Sequence, residues 1–191
     1  MALPKSFREV VGLLGEVFDE YQMTTGLRAV LVGGAAVSLY TQGRYVSGDF
    51  DVVAGVDDAF DLAMKNHGFV REDRPAHLLI GWYHPQFPNL GVQVVSGPLF
   101  DGMSDPTKIK VIAAGKGHLS MAAVEDLIAD RLGQYAASKN RDQSLLRQAR
   151  WLIRMPNLDE AYLIRRIRQE GGDPTLVGLE DDTDVGSNPK S

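Results

Sequence analysis

The strongest constraint in this sequence is a pair of short motifs set close together. Residues 29–32 form an apolar run that leads into Gly33-Gly34, and fifteen residues later Asp49-Phe-Asp51 opens a second apolar run through Val52 and Val53. Residues 28–33 read as a buried strand, 34–42 as a short helix and 49–54 as a second strand. In a strand, residues i and i+2 point to one face, so Asp49 and Asp51 aim two carboxylates at one spot while Phe50 packs on the other side. Their mutual repulsion calls for a cation. Oxygen ligands at this spacing suit Mg²⁺ or Mn²⁺, which complete their shells with water and substrate phosphate oxygens. Gly33 and Gly34 supply the complementary half, because no Cβ blocks an anion there and a helix starting at that point offers unpaired N–H groups. Phosphate on one side and metal on the other describe a nucleotide-transfer site.

Val32-Gly33-Gly34 followed by Asp49-Phe50-Asp51 resembles the signature of the nucleotidyltransferase superfamily that includes DNA polymerase beta. Gly-Gly-Ala-Ala, then Gly-Arg, then a Ser before the acidic pair, is most similar to small bacterial stand-alone members, among them the abortive-infection type of toxin-antitoxin systems. Arg44 and Ser47 stand in the corresponding Arg and Ser places, and the similarity runs over about residues 28–150. It implies an α/β (α+β) fold, a mixed sheet flanked by helices and followed by a helical subdomain. It also implies transfer of a nucleoside monophosphate from an NTP, with ATP the expected donor, to an RNA or protein hydroxyl. Asp49 and Asp51 would then be catalytic and hold Mg²⁺ or Mn²⁺. Gly33, Gly34, Ser38, Arg44, Ser47 and, on a later helix, Arg131 would contact the nucleotide. One position departs from the pattern: where the superfamily carries a third carboxylate, the segment Leu90-Gly-Val-Gln-Val-Val95 has Gln93. An amide can accept a metal bond but brings no charge and removes no proton. The resemblance therefore leaves two functional classes open, an active transferase and a catalytically silent nucleotide- or partner-binding module, such as one component of a toxin-antitoxin pair.

Composition narrows the surroundings of this site. The 191 residues suffice for one core with a small appendage, and 44 % hydrophobic with 24 % charged residues lies in the globular range. With no cysteine, thiolate chemistry and disulfides are excluded. The first twenty residues interleave Lys5, Arg8, Glu9, Glu16 and Asp19 with apolar positions, which suits neither a secretory signal nor a membrane span, so a cytoplasmic protein is expected. Net charge is −5, concentrated in the tail, and gives no case for DNA binding. A Rossmann reading of the glycine run lacks Gly-x-Gly-x-x-Gly and has no use for two acids on one face.

Three divisions are expected: a core over 1–118, a helical subdomain over 119–170, and an acidic, mobile tail over 171–191. An amphipathic helix opens the chain behind a capping box at Ser6-Phe-Arg-Glu9. A helix is expected over 57–67, and strands at Phe69-Val70, His77 to Tyr83, Val92 to Val95 and Ile109 to Ala113. Ser120 is read as the cap of the first C-terminal helix, with Asn140 and Asn157 opening two more. The four histidines show no metal-ligand spacing. Arg147, Arg150, Arg154, Arg165, Arg166 and Arg168 read as solvated helix faces, with a basic wall over the cleft as the sharper alternative.

Overall fold

The computed structural model describes residues 2–55, 57–72 and 81–180. His77, most of the strand expected there, and residues 181–191 of the acidic tail lie outside the described residues. The chain divides into two compact units, Met1–Ala123 and Val124–Ser191.

The first unit is built on a mixed seven-stranded sheet. Its strands are β1 (Val30–Val32), β2 (Asp49–Val53), β3 (Val70–Glu72), β4 (Gly81–His84), β5 (Phe87–Val95), β6 (Lys110–Ala114) and β7 (Gly117–Met121), in the spatial order β3-β4-β5-β2-β1-β7-β6. β2 runs antiparallel to β1 and parallel to β5. Helices α1 (Lys5–Thr25) and α3 (Asp57–Asn66) cover one face. The period of Phe7, Val10, Leu14, Val17, Phe18 and Tyr21 buries one stripe of α1. Phe7 meets Phe50 of β2 at a ring separation of 4.7 Å, and Phe60 of α3 meets Trp82 of β4 at 5.7 Å. Phe50, Val92 and Trp82 therefore belong to the covered face, and the residues alternating with them belong to the other.

Two sequence expectations change here. α1 begins at Lys5 behind Pro4, with no side-chain cap, so Ser6 lies already inside the first turn and the capping box does not form. Ser120 caps no helix. It sits in β7, buried, paired with Val111 of β6, and β7 also lies parallel to β1. The polar residue was a strand residue whose neighbours are supplied by distant chain.

The second unit consists of α4 (Val124–Ala137), α5 (Gln143–Leu152), α6 (Glu160–Gln169) and a 3-10 turn at Pro174–Val177. Its caps are aspartates rather than the asparagines expected: the Asp142 carboxylate accepts from the Ser144 N–H and that of Asp159 from the Tyr162 N–H. Inside it, Arg166 is fully buried and its Nε donates to Asp126 at 2.6 Å, while Tyr162 donates to the same carboxylate at 2.8 Å. Residues 171–180, assigned in sequence to a mobile tail, continue this unit: Pro174 is buried and the Leu176 carbonyl accepts from Arg150 Nε at 3.1 Å. No described helix is long and apolar enough to cross a membrane.

Candidate active site

The site lies on the face of β2 opposite the α1 and α3 layer. Asp49 and Asp51 share that face by the strand period, with Phe50 buried between them on the other side. Asp51 stands in register with Val32 of β1 and with Gln93 of β5. Directly paired residues share a face, so Gln93 joins the two carboxylates, and Val92 and Val94 are buried behind it. Asp49 pairs with Gly91.

Helix α2 (Gly33–Tyr40) starts at the end of β1 with no side-chain cap. The two glycines are needed for a reason that differs from the sequence argument. A Cβ on Gly33 would collide with Asp51 Oδ2, and one on Gly34 would lie 2.7 Å from Ser47 Oγ and 3.3 Å from the Tyr45 ring. The missing side chains are thus used first by the protein's own carboxylate and loop. Gly33 also has φ 63°, in the left-handed region that a side chain disfavours.

Ser38 is fully buried, and its hydroxyl donates to the Gly34 carbonyl at 2.8 Å and accepts the Ser47 N–H at 3.0 Å. It holds the 41–48 loop onto the helix start, and its position is that of a strut rather than of an open nucleotide contact. Ser47 is half-buried, with Oγ 3.4 Å from the Asp49 N–H. Arg44 is exposed on the same loop. Arg131 belongs to the second unit, on α4, where its guanidinium pairs with Asp130 at 2.8 Å and its buried Nε has no hydrogen-bond partner among the described residues. The arginine stripe is not one surface, since Arg166 is internal and Arg165 lies 5.1 Å over the Tyr162 ring.

Gly91 was not singled out in sequence. A Cβ there would lie 2.9 Å from Asp49 Oδ1, so this glycine clears room for the carboxylate. A glycine inside an otherwise β-branched run is the signal that marks such a close approach. Asp49 and Asp51 therefore lean toward opposite neighbouring strands, as two like charges on one face will do.

Among the described residues no three His, Asp or Glu side chains gather as a cation site. Mg²⁺ needs only one or two protein carboxylates when water and phosphate oxygens fill the remaining positions. Asp49 and Asp51, with Gln93 in register with Asp51 on the same face and no side chain at Gly33 or Gly91 to crowd them, fit that requirement.

No family model and no curated protein sequence matches the chain. Solved structures do. An antigenic nucleotidyltransferase-like protein from Paracoccidioides brasiliensis superposes with TM-score 0.60 and 15 % identity over 88 % of this chain and 88 % of its own. ANT(2")-Ia, in complex with adenylyl-2"-tobramycin, gives TM-score 0.56 and 9 % identity over 86 % of this chain and 99 % of its own. JHP933 from Helicobacter pylori gives 0.52 and 16 % over 92 % and 78 %. At these identities the likeness is one of fold, and the chain has the nucleotidyltransferase fold.

Proposed function

We propose that the protein transfers a nucleoside monophosphate from an NTP, with ATP the first donor to try, to a hydroxyl acceptor on RNA or protein. The observation that carries this reading is the placement of Asp49, exposed, and Asp51, half-buried, on one sheet face, each beside a glycine that clears room for its carboxylate. Mg²⁺ or Mn²⁺ would be held by Asp49 and Asp51, with Gln93 as a neutral third ligand, and when bound would offset triphosphate charge and favour the ionised acceptor. The chain's own contribution is orientation. Ser38 and Ser47 fix the loop against the start of α2, where Gly33 and Gly34 present backbone N–H groups toward phosphate. Arg44, exposed on that loop, would meet the triphosphate from solvent, and Arg131 would be a further nucleotide contact, as the sequence resemblance implies.

Gln93 favours a second reading. With an amide at the register position of Asp51, the site lacks a strong base, and a nucleotide-binding module that works through a partner protein, as in a two-component toxin-antitoxin pair, needs none. Thermal unfolding with ATP and Mg²⁺ tests the binding common to both readings, since a ligand of the folded state raises the midpoint. Asp49→Asn with Asp51→Asn should abolish the metal-dependent part of the rise. An equal rise in the double variant sinks the assignment, and labelled NMP transfer to RNA or protein separates the enzyme from the silent module.

A further inference from the structure

The register across β5 and β4 brings one more reactive group to the site. Asp49 pairs with Gly91, and Gly91 pairs in turn with Tyr83 of β4. All three positions share one face, since Trp82 and Val92, which alternate with Tyr83 and Gly91, are buried on the opposite one. Neighbouring strands lie about 4.8 Å apart, so the backbones of Asp49 and Tyr83 are separated by about 10 Å with only the bare Gly91 between them. Asp49 Oδ1 already leans across that gap, 2.9 Å from where a Cβ on Gly91 would be. A tyrosine side chain is long enough to bring its hydroxyl over the same glycine from the other side. Tyr83 is half-buried, and its phenol has no hydrogen-bond partner among the described residues.

We propose that Tyr83 is itself an acceptor, so that the protein nucleotidylates its own β4 strand. The inference rests on the transferase reading and narrows its acceptor to a phenol. The Tyr83 hydroxyl oxygen bonds to the α-phosphorus of the NTP, the bond from that phosphorus to the β-phosphate oxygen breaks, and pyrophosphate leaves with the electron pair. The phenolic proton passes to water. Chemistry favours this class of acceptor at a site with Gln93 in place of an acid. A phenol gives up its proton far more readily than water or an aliphatic hydroxyl, so it demands less of a base. Tyr45, the other tyrosine beside the motif, has its ring against Gly34, on the phosphate side of the acids.

The test uses the full chain, Mn²⁺ and ATP labelled on the α-phosphate. Wild type should take up label as a single AMP per chain, mapped to Tyr83 by mass spectrometry of the digested protein. Tyr83→Phe should lose at least nine-tenths of the label yet keep the ATP- and Mn²⁺-dependent rise in unfolding temperature, while Tyr45→Phe keeps the label. Label on another residue, or undiminished label in Tyr83→Phe, overturns the proposal and leaves the transferase reading standing. Wild type that shows the metal-dependent rise but takes no label overturns self-modification alone. Absence of both label and rise overturns the proposal together with the site on which it rests.

Discussion

Asp51 Oδ2 occupies the space that a Cβ on Gly33 would need, and Gly33 holds φ 63° to make that approach. Gly33→Ala should therefore suffer twice, from the left-handed backbone and from the displaced carboxylate. The expected loss is about 2 kcal/mol or more of unfolding free energy, read by urea denaturation, with loss of metal-dependent nucleotide stabilisation. A variant as stable as wild type would mean that the close contact does not persist in solution.

Gly91→Ala is the contrasting case. Its backbone lies outside the left-handed region, and the crowding falls on the flexible carboxylate of Asp49, with Oδ1 2.9 Å from the added carbon. Stability should change by less than about 1 kcal/mol, the range of an ordinary tolerated substitution, while Mn²⁺ affinity in the presence of ATP falls severalfold. Calorimetry of metal binding checks this, and unchanged affinity would remove Asp49 from the metal set.

Gln93 is in register with Asp51, so Gln93→Glu adds a carboxylate to the same face at nearly constant volume. Mn²⁺ should bind more tightly with nucleotide present, and NMP transfer should rise. Equal or weaker binding would show that residue 93 does not reach the metal.

Asp61 provides a pH-dependent prediction away from the site. Desolvation by burial pushes its pKa up, but hydrogen bonds from Lys65 and Trp82, with the positive charges of Lys65 and Arg71, outweigh it and the net shift is downward. A folded pKa below the unfolded one gives stability that is present above the unfolded value near 3.8 and is lost as pH falls through the folded value. The stability gap between wild type and Asp61→Asn should thus be largest near neutral pH and close below about pH 4. A gap constant from pH 7 to pH 3 would contradict the pairing.

Truncation after Arg168 should destabilise the second unit, contrary to the expectation that an acidic tail begins near there. Glu170 accepts from the buried Arg166 at 2.6 Å, and Gly172 lies so close to Leu132 that a Cβ would approach it to 2.9 Å. Removing a partner of a buried cation costs about 3 kcal/mol when it leaves charge unpaired, and Asp126 retains part of the pairing here. A loss of about 2 kcal/mol is expected by denaturant unfolding, and an unchanged midpoint would show that residues 169–180 contribute nothing.

What the sequence by itself determined is what depends on neighbours along the chain. The stripe of α1 is legible because Phe7, Val10, Leu14, Val17 and Tyr21 recur at the helical period, and the shared face of Asp49 and Asp51 follows from the strand period of two. The motif order around Gly33 and Asp49 pointed to the fold for the same reason: a strand, a tight start of helix and a returning strand are local events. The resemblance put Gln93 at the position of a third acid, but its register with Asp51, and the pairing of Asp49 with Gly91 and of Gly91 with Tyr83, were decided only by the tertiary structure, through strand register between distant segments. The same holds for Ser120, whose polarity suggested a helix cap but whose surroundings are β6 and β7 pairing, and for Arg166, which looked like a surface charge and is buried against Asp126. Register and burial are set by which faces of remote elements fit together, and no local periodicity carries that information.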